Sequence, residues 1–204
     1  MSPAVSHDAY EEPPLLSREE SGLRRFNGAP ADTAHEALLG CCGSERWARR
    51  VAAHRPYPDV AALLAAADEA VYDLSPADLG QALAAESAAD RCSRLSGAEV
   101  PQAALTALRA AFAAYEASFG HTFVISLAGR APDEYLDQVL AGVRARLGND
   151  PEEERAVARD ELRGLARTRL AALVARHAGP EEDPGGRAPT VPAPGRSPEM
   201  PGKR

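Results

Sequence analysis

The chain has 204 residues, a net charge of −7 and an isoelectric point near 5.3, with 45% hydrophobic and 26% charged residues. This composition is typical of globular proteins, and the acidic balance disfavours a broad nucleic-acid or membrane surface. The sequence has no apolar run of about 18 residues and no secretory signal pattern at its N-terminus, so we expect a soluble, cytoplasmic protein. Its three cysteines are too few for a disulfide framework.

Composition separates one folded region from two tails. Residues 1–21 contain two adjacent prolines and scattered charges, and residues 179–204 hold seven of the 17 prolines. Such segments bury too little apolar surface to offset an ordering entropy of about 1–2 kcal/mol per residue, so we predict that both are disordered. Residues 22–178 are then expected to form a single compact domain, large enough for a core without metals or disulfides.

Helix start and stop signals recur along the first half of this domain. A helix is predicted to begin at Asp32, and Ser44 is a good N-cap for the next one. Prolines within residues 55–58 break that second helix. Asp59 and the Ser75-Pro76 pair then start two further helices, because an N-cap side chain followed by proline suits the first turn.

Apolar periodicity dominates the second half. One helix follows Pro101 and carries a stripe whose members are three or four residues apart. These members are Leu105, Leu108, Phe112, Tyr115 and Phe119. Residues 121–128 have β character but are too short and solitary to form a sheet. Pro132 and Asp150-Pro151 open the last two helices, so the predicted fold is all-α, with about seven to eight helices.

The familiar motifs of catalytic sites are absent from the sequence. There is no glycine-rich phosphate loop, no Cys-x-x-Cys, and no metal-ligand spacing among the five histidines. Cys41-Cys42 lies beside an apolar helix face, which favours a buried structural role over a redox role. The acidic run at residues 152–154 is explained by the helix dipole rather than by metal binding. These patterns alone predict an all-α domain without an assigned activity.

Several short motifs follow one another in a specific order. They are Phe26-Asn27, Leu39-Gly40-Cys41-Cys42-Gly43-Ser44, Arg46-Trp47-Ala48, Arg55-Pro56-Tyr57, residues 114–120, Phe123-Val124-Ile125, residues 144–152, Glu161-Leu162-Arg163 and Arg169-Leu170. Together, over residues 26–174, they resemble the 2-oxo-4-hydroxy-4-carboxy-5-ureidoimidazoline (OHCU) decarboxylases. These all-α enzymes form (S)-allantoin in purine breakdown. The resemblance implies a decarboxylase that acts on a small ureide, needs no metal or organic cofactor, and forms a homodimer.

The resemblance also implies which residues do the chemistry. The family has a histidine–proline pair whose histidine is taken as the proton donor, and Glu86-Ser87 stands in that place. A Ser-x-x-Glu-Gln pattern that holds the substrate falls on residues 96–100, where Ser96 and Glu99 are kept and the glutamine is lost. We therefore predict Glu86 and Glu99 as catalytic residues, and Ser87 and Ser96 as substrate-binding residues.

Further substrate contacts are implied along the second half of the domain. The family's late arginine, which can clamp a carboxylate, corresponds to Arg169, and Arg130 is a second basic candidate. The family's backbone contacts to the substrate map to Val124, Ile125, Ser126 and Leu127.

The replacement of histidine by Glu86 raises the question of the proton source. A carboxylic acid can serve as proton donor if a neighbouring carboxylate, such as Glu99, shares one proton with it. The alternative is that Glu86 is a solvent-facing helix residue. In the same way, Glu99 can be a loop charge, and Arg169 can form a surface contact or an ion pair.

Three functional hypotheses follow. The retained Ser96, Glu99 and Arg169 favour a divergent OHCU decarboxylase. The loss of the histidine–proline pair and of the glutamine favours a catalytically inactive binding or regulatory paralogue with the same fold. The third is an all-α interaction module that binds another small ligand in the same cleft.

Overall fold

The computed structural model describes residues 17–86 and 102–176. This part of the chain contains eight α-helices and one short 3₁₀-helix, so the all-α prediction is confirmed. The helices are α1 (Arg18–Gly28), α2 (Ala31–Cys42), α3 (Glu45–Ala53), α4 (Val60–Tyr72), α5 (Pro76–Ala85), α6 (Gln102–Phe119), α7 (Tyr135–Arg146) and α8 (Pro151–Arg176), and the 3₁₀-helix is Pro132–Glu134. Within these limits, no helix is both long and apolar enough to cross a membrane.

Side-chain caps begin most of the helices. Ser44, Asp59 and Ser75 each accept a backbone N–H of the following first turn, as the sequence predicts. The start predicted at Asp32 is wrong, since α2 begins at Ala31 after Pro30 and Asp32 lies inside its first turn. There the acid still faces the positive end of the helix dipole.

The first helix begins earlier than the expected domain boundary at residue 22. Ser17 and Glu20 form a capping box, in which each side chain accepts the backbone N–H of the other residue. This reciprocal pair satisfies two N–H groups that a helix start otherwise leaves unpaired, so α1 extends back to Arg18. The rest of the predicted tails, residues 1–16 and 179–204, lies outside the described residues, as do residues 177 and 178 of the predicted domain.

The long helix α8 is the centre of the main core. It packs against α1, α2 and α4, and its buried face includes Ala158, Leu162 and Leu170. The single tryptophan, Trp47 of α3, is fully buried in the same core, and its indole N–H donates to the Ala67 carbonyl at 2.9 Å. The apolar residues that recur every three to four positions along α8 therefore face its neighbours.

A second, smaller core lies between α6 and α7. Phe112 and Tyr115 of α6 pack against Phe123, with ring centroids 5.6 Å and 5.0 Å apart. The stripe predicted for α6 is confirmed at its centre, because Leu108, Phe112 and Tyr115 are buried. Residues 123–127 form a segment without regular secondary structure that leads from this aromatic core to the side of α8.

Candidate active site

A pocket of about 260 Å³ lies between this segment, the start of α7 and the second half of α8. Its lining combines an arginine, three hydroxyl groups and apolar side chains. The lining residues are Ser126, Leu127, Ala128, Tyr135, Leu165, Thr168 and Arg169. A mainly apolar pocket with a few converging polar groups is the usual form of a small-molecule site.

Arg169 supplies the positive charge of the pocket. Its two terminal nitrogens contact the two carboxylate oxygens of Glu86, at 2.5 Å for Nη1–Oε1 and 2.8 Å for Nη2–Oε2. Nη1 also donates to the Cys41 carbonyl at 3.1 Å, which fixes the guanidinium against α2. The exposed side-chain fractions are 23% for Arg169 and 7% for Glu86. This is a partly buried, bidentate ion pair at the edge of the pocket.

Glu86 reaches Arg169 from the end of α5. It is the C-cap residue of that helix, with extended backbone angles and an N–H that donates to the Leu83 carbonyl. Its side chain is buried, so the solvent-facing alternative is wrong. Arg169 forms an ion pair with Glu86, and its role as a carboxylate clamp stays a prediction.

The segment of residues 123–127, which forms one wall of the pocket, is held by two charged side chains. Arg146 of α7 donates to the Val124 carbonyl at 2.6 Å, and the Ser126 N–H donates to Glu161 Oε2 of α8 at 2.7 Å. These two backbone groups, both predicted as substrate contacts, are therefore engaged by the protein itself. Among the described residues the Leu127 N–H has no hydrogen-bond partner, and this residue lines the pocket.

The same wall lies very close to α8. A Cβ atom placed on Gly164 would come within 2.7 Å of Ser126 Oγ and 2.8 Å of its Cβ. Only glycine allows this approach, because no larger residue fits between the helix and the segment. Glu161 and Gly164 are one turn apart, so a single face of α8 positions Ser126.

Behind the wall lies a buried charge network. Arg146 contacts Glu154 through Nε at 2.9 Å and Nη2 at 2.5 Å, and the Tyr115 hydroxyl donates to the same carboxylate oxygen. Asn149 donates to the other oxygen at 2.9 Å. Burial and the hydrogen bond to Glu154 raise the pKa of Tyr115, so the phenol stays neutral. The network fixes Arg146, and through it the Val124 carbonyl.

This network corrects the interpretation of the acidic run at residues 152–154. Glu154 is fully buried and pairs with Arg146, so the helix dipole alone does not explain it. A signal was available in the sequence, because Glu154 lies four residues before Ala158, which is itself four before Leu162. An acid in the core register of a helix indicates a buried partner.

The remaining predicted site residues either do not line the pocket or lie outside the described part of the chain. Arg130 is exposed beyond the turn that follows Leu127 and does not line the pocket. Ile125 is half-buried, and its Cδ1 would lie 3.1 Å from a Cβ on Gly142. Ser87, Ser96 and Glu99 lie outside the described residues. Within those limits, no three His, Cys, Asp or Glu side chains are grouped as metal ligands.

The adjacent cysteines lie behind Arg169. Both Cys41 and Cys42 are buried, and burial raises the pKa of these thiols to about 11 and about 12. At neutral pH they are protonated and behave as small apolar side chains. The predicted structural role is confirmed for this pair.

The described residues form an all-α domain with a mainly apolar pocket beside the long helix α8. A sequence model of the OHCU decarboxylase family matches residues 27–171, which is more than half of the chain. The chain therefore belongs to the OHCU decarboxylase family, as the motifs at residues 26–174 predict. No curated protein matches it.

Two crystal structures have a similar fold. One is of (S)-allantoin synthase, with a TM-score of 0.59 and 19% identity, covering 74% of this chain and 53% of that one. The other is of OHCU decarboxylase in the presence of (S)-allantoin, with a TM-score of 0.59 and 21% identity, covering 72% of this chain and 99% of that one. This chain thus spans about half the length of the allantoin synthase and nearly all of the decarboxylase.

Proposed function

We propose that this protein decarboxylates OHCU and releases (S)-allantoin. The observation that carries the proposal is the guanidinium of Arg169 at the edge of a pocket, in a chain of the OHCU decarboxylase family. A guanidinium binds a carboxylate through two parallel hydrogen bonds, which orients the group that must leave. Leu127, Tyr135 and Leu165 would contact the ring and the ureido chain of the substrate.

The reaction needs a clamp, a charge-stabilising group and an acid. Arg169 is the proposed clamp. When the carbon–carboxylate bond breaks, carbon dioxide departs and the bonding electrons remain on the ring, where the Leu127 N–H is the proposed hydrogen-bond donor. An acid then delivers one proton to that carbon on one face, which sets the stereochemistry.

Glu86 is the proposed acid, because its carboxylate contacts the guanidinium that would hold the substrate. Ser87, Ser96 and Glu99 remain predictions from the family pattern, with Glu99 as the carboxyl group that shares a proton with Glu86. We further propose a cytoplasmic homodimer that needs no metal or organic cofactor, as the family resemblance implies.

A stereospecific assay tests this function. Freshly generated OHCU should disappear faster with the purified protein than in buffer, and circular dichroism should detect one enantiomer of allantoin. A rate equal to that of buffer would dismiss the proposal and favour the inactive paralogue. Strong activity gained only after Glu86→His with Ser87→Pro would favour the paralogue as well.

Variants of α8 test the clamp. Arg169→Gln should lower kcat/KM by about 100-fold, because the leaving carboxylate loses its charged partner. Arg167→Gln is the matched control, since Arg167 lies on the same helix but pairs with Asp68 away from the pocket. The control should stay within about twofold of the natural protein, and equal losses in both variants would exclude Arg169 as the clamp.

A further inference from the structure

The carboxylate of Glu86 occupies the part of Arg169 that a ligand carboxylate would use. Both oxygens of Glu86 contact the two terminal nitrogens of Arg169, at 2.5 Å and 2.8 Å. A guanidinium offers this paired edge to one carboxylate at a time. We infer that Glu86 is a built-in competitor for Arg169, which a ligand carboxylate must displace before it is clamped.

The arrangement lets Glu86 leave while Arg169 stays. Arg169 lies seven residues before the end of the 26-residue helix α8, and its Nη1 also donates to the Cys41 carbonyl. Glu86 follows the last turn of α5, where its backbone is extended rather than helical. The cation is thus held by a second partner on rigid structure, whereas the anion sits at a helix end.

The pocket provides room for the incoming group. Arg169 lines the cavity of about 260 Å³ together with Ser126, Leu127 and Thr168, and its side chain is 23% exposed. Arg169 therefore contacts both Glu86 and the cavity, so a carboxylate that enters the cavity lies beside the guanidinium that Glu86 holds. Ligands without a carboxylate can fill the same cavity and leave the ion pair intact.

Displacement would couple clamping to proton delivery, a step that rests on the proposed function. In this step the displaced carboxylate of Glu86 would take up one proton from water. The protonated Glu86 would then give that proton to the ring carbon after carbon dioxide leaves, and return as the anion to Arg169. One proton is consumed for each carboxylate converted to carbon dioxide, so the cycle balances.

Binding measurements test the competition without turnover. Allantoate, a ureide with a carboxylate, and (S)-allantoin, which has none, would be titrated by calorimetry into the natural protein and Glu86→Gln. If Glu86 holds Arg169 in at least nine of ten molecules, its removal should tighten allantoate binding by about 10-fold or more. The affinity for (S)-allantoin should stay within about twofold.

Three variants serve as controls. Asp68→Asn removes one negative charge from another arginine-paired carboxylate, and should leave allantoate binding unchanged. The variant that combines Glu86→Gln with Arg169→Gln should lose the tighter binding of allantoate that Glu86→Gln alone gives. Glu86→Met, of similar volume, repeats the test if the glutamine variant does not fold.

The outcomes separate this inference from the proposed function. Allantoate binding that is unchanged or weaker in a folded Glu86 variant overturns the inference, and so does the absence of allantoate binding in every variant. Tighter binding by Glu86→Gln, with no turnover of OHCU by the natural protein, supports the competition and dismisses the decarboxylase activity. Equal tightening by Asp68→Asn would also overturn it, because net charge alone would then explain the gain.

Discussion

Arg146 and Arg169 each hold a carboxylate, but the first arginine is buried and the second is only half-buried. Arg146 and Glu154 have exposed side-chain fractions of 7% and 0%, and Tyr115, Asn149 and the Val124 carbonyl complete their hydrogen bonds. Arg169 and Glu86 lie at the edge of a pocket, where the arginine is 23% exposed. The first pair has the features of a structural element and the second those of an exchangeable one.

The difference shows why burial of an ion pair does not by itself indicate function. Both pairs have short contacts, so distance does not separate them. What separates them is the space next to the arginine. A pair enclosed by protein groups on all sides can only support its surroundings, whereas a pair beside a cavity can exchange one partner for a ligand.

The largest expected effect is on the enclosed pair. Glu154→Gln leaves Arg146 buried without its counter-charge and should lower the free energy of unfolding by about 3–5 kcal/mol. Urea denaturation followed by circular dichroism measures this loss. Replacing both partners with apolar residues, Arg146→Met and Glu154→Leu, should restore most of the stability. A loss below about 1 kcal/mol in Glu154→Gln would show that the network is not structural.

Alkaline pH should destabilise both regions, since each contains acids kept neutral by burial. Burial in the folded protein raises the pKa of Cys41 and Cys42 from 9.0 to about 11 and about 12. The stability that the neutral thiols contribute is therefore fully present below pH 9 and is lost as the pH rises through 11 and 12. Between about pH 8 and about pH 10.5 the free energy of unfolding should fall by about 2 kcal/mol per thiol, because the thiols ionise mainly in the unfolded chain. Urea midpoints at the two pH values measure this.

A double variant assigns that loss to the thiols. The variant that combines Cys41→Ala with Cys42→Ala should show only the part of the alkaline stability loss that other groups cause, chiefly Tyr115, whose pKa is also raised. An unchanged pH dependence in this variant would show that the cysteines do not contribute.

A smaller effect is expected for the pocket wall. Glu161→Ala removes the charged acceptor of the Ser126 N–H and should raise KM, or the dissociation constant of allantoate, by about 10-fold. Glu161→Gln keeps an acceptor oxygen and should recover most of the affinity. If both variants bind as the natural protein does, Glu161 is not a positioning residue for the pocket.

The smallest effect is expected for a pair outside both regions. Arg50 Nη2 and Asp73 Oδ2 are 2.6 Å apart, but the two side chains are 44% and 46% exposed. Asp73→Asn should therefore change the free energy of unfolding by less than about 1 kcal/mol, and high salt should erase the difference. A loss as large as that of Glu154→Gln would break the distinction drawn between enclosed and exposed pairs.

Local signals in the sequence determined the helices and their main faces. The caps at Ser44, Asp59 and Ser75 and the apolar stripe of α6 depend on residues within four positions of one another, and these predictions hold. The start of a helix is harder to predict where two start signals lie close together, as Pro30 and Asp32 do. Periodicity could also have located Glu154, because the acid continues the buried register of α8.

Only the tertiary structure decided which charges meet. Glu86 and Arg169 are 83 residues apart, and Ser126 and Glu161 are 35 apart. Their contacts depend on how α5 and the segment of residues 123–127 approach α8, which is set by packing of the whole core rather than by any local pattern. The sequence named Glu86 and Arg169 as separate candidates, and the packed helices made them one ion pair at the pocket.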